Sequence, residues 1–117
     1  MTRLLFICSR NRLRSPTAEH VFADVPGIET ASAGLDHDAD VPVSAELLAW
    51  ADRIFVMERT HREKLARRFR AHIHGKPVVC LAIPDDYVYM EDALVRLLEK
   101  KMRPYLQAAA GARPGPE

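Results

Sequence analysis

The chain has 117 residues, 48% of them hydrophobic and 28% charged, with a formal net charge of +1. That length supports one core with four or five elements, and the composition is ordinary for a soluble globular protein. No apolar run approaches a membrane span, no signal peptide opens the chain, and two cysteines make no disulfide scaffold, so a reducing, cytoplasmic setting is expected. Charge is unevenly spread: residues 59–76 hold seven Arg/Lys against one Glu, and residues 85–92 hold four acids and no base.

Four apolar runs alternate with amphipathic stretches, the βαβα signature of a parallel sheet with helices on its faces, which is an α/β fold. The first strand is predicted at about Arg3 to Cys8. Ser15 reads as the N-cap of a first helix with Pro16 at its first position, continuing to about Ala23 until Pro26-Gly27 breaks it. Ile28 to Ser32 alternates as a second strand and stops at Ala33-Gly34; Leu35 to Val43 is polar and reads as a loop. Ser44 caps a short helix over Ala45 to Ala51, and Ile54 to Met57 is a third strand. Thr60 caps a third helix to about His72, whose exposed face carries Arg62, Arg67, Arg68 and Arg70. After a turn at Gly75-Lys76-Pro77, Val78 to Leu81 is a fourth strand and Ile83 to Tyr89 a loop. The last helix spans about Glu91 to Gln107, with Leu94, Leu97, Leu98 and Met102 at core spacing. Residues 1–107 are thus expected to form one domain, and 108–117 a flexible tail.

The chemistry concentrates in Leu4 to Glu19. A thiol at a strand's C-terminal edge, a turn holding three arginines and a helix start converge there, an arrangement that binds an oxyanion and supplies a nucleophile to attack it. Cys8 is the nucleophile candidate; the helix end, the loop amides and Arg14 each favour its thiolate. A buried core cysteine is the plain alternative. Arg14 is the candidate phosphate clamp, because its planar fork meets two oxygens at once and a cation beside a helix N-terminus is otherwise disfavoured. Ser15 has two compatible jobs, cap and hydroxyl donor to the Cys8 sulfur.

Cys8-Ser9-Arg10-Asn11-Arg12-Leu13-Arg14-Ser15-Pro16, following an apolar strand, resembles the C-x5-R-[ST]-P signature of the low-molecular-weight protein tyrosine phosphatases, whose fold is shared with thioredoxin-coupled arsenate reductases. Thr17-Ala18-Glu19 is similar to that family's first helix, Ser32-Ala33-Gly34 to its Ser-Ala-Gly after the second strand, and Ile83-Pro84-Asp85-Asp86-Tyr87 stands where the family carries an Asp-Pro-aromatic loop. The resemblance spans residues 3 to about 106. It implies a three-layer α-β-α sandwich with a four-stranded parallel, Rossmann-like sheet, and hydrolysis of phosphate monoesters, phosphotyrosine protein or aryl phosphate, through a phosphocysteine. Three departures stand out. The segment between Gly34 and Ser44 is shorter than in the family, Arg10 replaces a glycine and so is expected at an unfavourable φ or in a reshaped loop, and Leu13 replaces a frequent second cysteine.

On this resemblance the general acid is Asp85, with Asp86 as competitor, standing across the cleft from Cys8 where a loop leaves the C-terminal end of the fourth strand. Asn11 tolerates left-handed backbone geometry and is implied to pin the loop with help from Ser32. Ser9, Arg10, Arg12 and Leu13 would mainly supply backbone donors. Arg10 and Arg12 either raise the positive potential toward a more negative substrate or are merely solvated. Tyr87, with Tyr89, forms an aromatic wall or packs against the last helix.

The five histidines show no metal-ligand spacing, and no cofactor is implied. The basic face of residues 59–76 lacks interleaved aromatics, which argues against nucleic acid. The expected partners are a phosphorylated protein or small phosphomonoester, with inorganic phosphate as product. Two competing functions remain: a non-catalytic phosphate- or nucleotide-binding module, and an arsenate reductase, which with only Cys80 left in the chain would need an external thiol.

Overall fold

Strand β1 (Thr2–Cys8) is apolar at every position from Leu4 to Ile7 because both of its faces are covered. Leu4, Phe6 and Cys8 point to one side, where they meet Ala18 and Phe22 of helix α1 (Arg14–Phe22) and Leu94, Leu98 and Met102 of helix α4 (Asp92–Ala110). Leu5 and Ile7 point to the other, where they meet Leu48 of α2 (Ala45–Trp50) and Leu65 of α3 (Arg59–Ile73). This is the period-two alternation of a strand serving two cores at once. Phe6 anchors the first core, with its ring stacked on Phe22 and Phe55 at centroid separations of 5.9 and 5.5 Å.

The computed structural model describes residues 1–110. Its sheet has four parallel strands in the order β2-β1-β3-β4, where β2 is Ile28–Gly34, β3 is Arg53–Val56 and β4 is Val78–Cys80. With helices on both faces this is a three-layer α-β-α sandwich. From β1 the chain goes first to one neighbour, β2, and then to the other, β3. The C-terminal end of β1 is therefore the topological switch point, the place where an open parallel sheet leaves a crevice. Cys8 is the last residue of β1 and pairs with Gly34, the last of β2.

Several boundaries differ from the sequence reading. Helix α1 starts at Arg14 with Leu13 in the cap position and no side-chain cap, so Ser15 lies inside the first turn and is not its N-cap. Helix α3 is capped at Glu58 rather than at Thr60, because the Nδ1 of His61 reaches back to the Glu58 N–H at 3.1 Å. Ser44 does cap α2, its hydroxyl accepting from the Leu47 N–H at 3.2 Å. Strand β2 continues through Ala33 and Gly34, since β1 offers partners as far as Cys8. Helix α4 passes Gln107 to Ala110, carrying into the stretch expected as tail; the rest of that expectation, residues 111–117, lies outside the described residues.

The segment 35–43 is irregular, as expected, but closely tied down. The N–H groups of Leu35, Asp36 and Asp40 donate to the carbonyls of Cys8, Ser9 and Arg10 at 2.9, 2.8 and 3.1 Å, holding the outside of the loop that follows β1. Gly34 makes this close approach possible. A Cβ built there would stand 2.5 Å from the Ser9 carbonyl oxygen and 2.6 Å from the Ala39 Cβ, so no side chain fits.

Candidate active site

The loop from Cys8 to Leu13 turns back on itself through Asn11, which adopts φ +58°. Asparagine is one of the few residues that takes this left-handed conformation cheaply. Arg10 is not among the residues with positive φ, so the strain expected where the family places glycine is absent.

The turn at Asn11 brings its backbone N–H to 3.3 Å from the Cys8 sulfur. The Asn11 side-chain amide donates to Ser32 Oγ at 2.9 Å and to Ser15 Oγ at 3.1 Å. Each serine hydroxyl is thereby left with one proton to place elsewhere. Ser32 gives its proton to Glu19 Oε1. Ser15 has two acceptors, Cys8 Sγ at 2.9 Å and the Ala33 carbonyl at 3.4 Å, and the shorter, better-placed contact is the sulfur. A connected network results, in which Asn11 donates to Ser15 and the Ser15 hydroxyl is the donor to Cys8 when the sulfur is a thiolate. The hydroxyl released from capping is the one aimed at the thiol.

Cys8 and Ser9 lie on a cleft of about 530 Å³ whose other walls are Arg10, Arg12, Leu13, Arg14, Asp36 and Asp85. Arg14 is 3% exposed; its Nη1 donates to Glu58 Oε2 at 2.6 Å and to the Ile83 carbonyl at 2.7 Å. Its Nε stands 3.7 Å from Asp85 Oδ1. Among the described residues Nε and Nη2 donate no hydrogen bond to the protein, leaving one bidentate edge of the guanidinium unused. The cation that a helix start disfavours is thus offset by two carboxylates.

Asp85 is exposed and lines the cleft; the adjacent Asp86 is exposed and does not. Tyr87 is absent from the cleft and packs against the α1/α4 core, and Tyr89 lies in a separate surface depression with Pro16 and His20, so neither makes an aromatic wall. Arg10 and Arg12 project at the rim, where the 35–43 segment supplies counterions: Arg10 to Asp36 at 3.8 Å and Arg12 to Asp40 at 3.1 Å. Cys80 ends β4, with β3 between it and β1, so it does not stand beside Cys8 in the sheet. Among the described residues no group of three or more His, Cys, Asp or Glu side chains is disposed to hold a metal ion, and no helix is long and apolar enough to cross a membrane.

Four residues join the site in roles that the sequence reading did not give them. Glu58 and His61 come from the start of α3, Asp36 from the 35–43 segment and Glu19 from α1. His61 is 4% exposed, with Nε2 3.1 Å from Ser9 Oγ. Burial lowers its pKa from the ordinary 6.5; Arg14 adds to that, Glu58 opposes it, and Lys64 and Asp36 contribute with opposite signs in turn. The spacing Glu58-x-x-His61 has the form of a capping box and was the signal available.

A thiol at the switch point of a four-stranded parallel sheet, under a short arginine loop that opens a helix, defines the fold of the low-molecular-weight protein tyrosine phosphatases. The solved structures similar to this chain include the tyrosine phosphatase Wzb from Escherichia coli K30 in complex with phosphate, at 24% identity over 91% of this chain and 96% of that one, TM-score 0.71. Wzb from Vibrio vulnificus in complex with benzylphosphonate is similar at 23% identity over 92% and 98%, TM-score 0.75. The YwlE arginine phosphatase from Geobacillus stearothermophilus is similar at 21% identity over the full length of both chains, TM-score 0.70. No protein-family model and no curated protein matches the sequence.

Proposed function

We infer that the protein is a cysteine-dependent phosphatase that hydrolyses phosphate monoesters through a phosphocysteine. The observation that carries this reading is the Cys8 sulfur in hydrogen-bond contact with Ser15 Oγ at 2.9 Å and accepting from the Asn11 N–H at 3.3 Å, in the same cleft as the free edge of Arg14 and the carboxyl of Asp85. In the first step the Cys8 thiolate attacks phosphorus, the P–O bond to the leaving group breaks, and Asp85 donates its proton to the departing oxygen. Nε and Nη2 of Arg14 hold two non-bridging oxygens as charge redistributes. In the second step the Asp85 carboxylate takes a proton from water, the water oxygen attacks phosphorus, and the P–S bond breaks to release phosphate. Ser15 donates to the sulfur as it leaves, making the thiolate a better leaving group. Ser9, Arg10, Arg12 and Leu13 border the substrate, while Asn11 and Ser32 keep Ser15 oriented. Both cysteines are free thiols, which suits a reducing, cytoplasmic setting.

The test is hydrolysis of a chromogenic aryl phosphate by the wild type, Cys8→Ser and Asp85→Asn. The wild type turns over, Cys8→Ser is inactive, and Asp85→Asn loses roughly a hundredfold, most for poor leaving groups. Wild-type inactivity despite tight phosphate binding would instead identify a binding module.

One feature of the cleft favours a second substrate class. None of its lining residues is aromatic, so nothing there stacks on a phenol ring, whereas Asp36 and Asp85, set among Arg10, Arg12 and Arg14, can accept from the guanidinium of phosphoarginine. The similar arginine phosphatase makes the comparison concrete. Measured side by side, a higher kcat/KM for phosphoarginine than for phosphotyrosine supports this class, and the reverse order rejects it.

A further inference from the structure

The N–H of Glu58 points into the ring of His61, at 3.1 Å from Nδ1, so Nδ1 must present its lone pair. The ring proton of the neutral imidazole is therefore on Nε2. Nε2 faces Ser9 Oγ at 3.1 Å and donates to it, which frees the Ser9 hydroxyl proton for another acceptor. Ser9 lines the cleft beside Cys8. We propose that His61 is a positioning residue of the oxyanion cradle: as the Nε2–H tautomer it turns the Ser9 hydroxyl into a donor toward an oxyanion over Cys8, and protonation of the ring dismantles this arrangement. The proposal deepens the phosphatase reading and rests on it.

Protonation acts through geometry. A hydrogen added at Nδ1 meets the Glu58 N–H head-on, so the ring must turn or withdraw, and both the α3 cap and the Ser9 contact are lost together. The charged groups facing the imidazole are Arg14 from α1, Glu58 and Lys64 from the start of α3, and Asp36 from the 35–43 segment. Cations and anions are balanced there, and burial tips the ring toward its neutral form. The cradle is thereby ready at neutral pH and loosens in acid.

The experiment measures sulfate binding by calorimetry from neutral to mildly acidic pH, because sulfate keeps one charge state over that range whereas phosphate does not. Imidazole NMR of the same samples follows the tautomer and protonation of His61. The variants are His61→Asn, Ser9→Ala and the double variant. Asparagine Oδ1 stands where Nδ1 was and preserves the α3 cap, while the contact to Ser9 is lost. The expected result is an Nε2–H ring at neutral pH and a fall in wild-type sulfate affinity that tracks His61 protonation. His61→Asn is weaker by roughly threefold to tenfold at neutral pH and lacks that fall. The double variant binds no more weakly than Ser9→Ala alone, because His61 works through that hydroxyl. A His61→Asn effect of equal size on the Ser9→Ala background, or a wild-type affinity indifferent to His61 protonation, would overturn the proposal, as would absence of sulfate binding. A protein that binds sulfate as described but hydrolyses nothing loses the phosphatase reading alone. One that hydrolyses through Cys8 without the His61 dependence loses only this role.

Discussion

The hydroxyl proton of Ser15 has one good destination, and the reason is a neighbour's amide. Because Asn11 donates to Ser15 Oγ at 3.1 Å, the serine must donate onward, and Cys8 Sγ is the nearer acceptor. Removing that donor should matter most when sulfur leaves phosphorus. Ser15→Ala is expected to slow phosphocysteine breakdown by roughly tenfold to a hundredfold while sparing its formation, so that rapid-mixing kinetics show a burst of leaving group followed by a slow steady state. A variant with no burst and a slowed first step would show that the hydroxyl serves formation of the thiolate instead. Arg14 illustrates the same principle with charge: Glu58 and the Ile83 carbonyl hold Nη1, which fixes the plane of the guanidinium and turns its free edge to the cleft.

At the level of elements, the start of α3 and the 35–43 segment clasp the Cys8–Leu13 loop from two sides. Helix α3 does so through His61 on Ser9, with Glu58 holding the adjoining Arg14, and the segment through its backbone N–H groups. His61 makes this clasp sensitive to pH. Its folded-state pKa lies below the unfolded 6.5, so between the two values the unfolded chain binds more protons than the native one. The stability it contributes is present above pH 6.5 and is lost as pH falls toward the folded value. Urea midpoints measured across that window should decline in the wild type and decline less in His61→Asn. Gly34 is the other point where the elements touch. Gly34→Ala places a methyl against the Ser9 carbonyl and is expected to destabilise by about 1–3 kcal/mol and to displace the loop, which thermal unfolding and loss of sulfate binding would register together.

For the whole molecule, the sheet is the rigid base on which the site stands, and β1 is the strand shared by both cores. Phe6 sits where α1, α4 and β3 converge, fully buried between Phe22 and Phe55. Phe6→Ala is expected to cost about 3–5 kcal/mol in urea unfolding, much of a small domain's stability. A loss under about 1 kcal/mol would mean that the core collapses around the gap.

Much of this architecture was legible from the residues alone. The apolar runs at Leu4–Ile7 and Ile54–Met57, with amphipathic stretches between them, define strands and helices because burial on two faces or on one demands those patterns. Cys8 and Arg14 could be grouped because short-range order places a thiol and a helix start on the same edge of a parallel sheet, and the family resemblance added Asp85 on the loop after the fourth strand. What the linear order could not decide was which partner each polar side chain takes. Ser15 reads equally well as a cap or a donor until Asn11 is folded over it, and Glu58 and His61 look like ordinary helix-start residues until α3 docks beside Ser9 and Arg14. Tyr87 likewise fits a wall or a core by composition, and packing against α1 and α4 chose the core. Hydrogen bonds and ion pairs act over a few ångströms between residues many positions apart, so only the assembled tertiary structure settles them, whereas periodic burial is written along the chain itself.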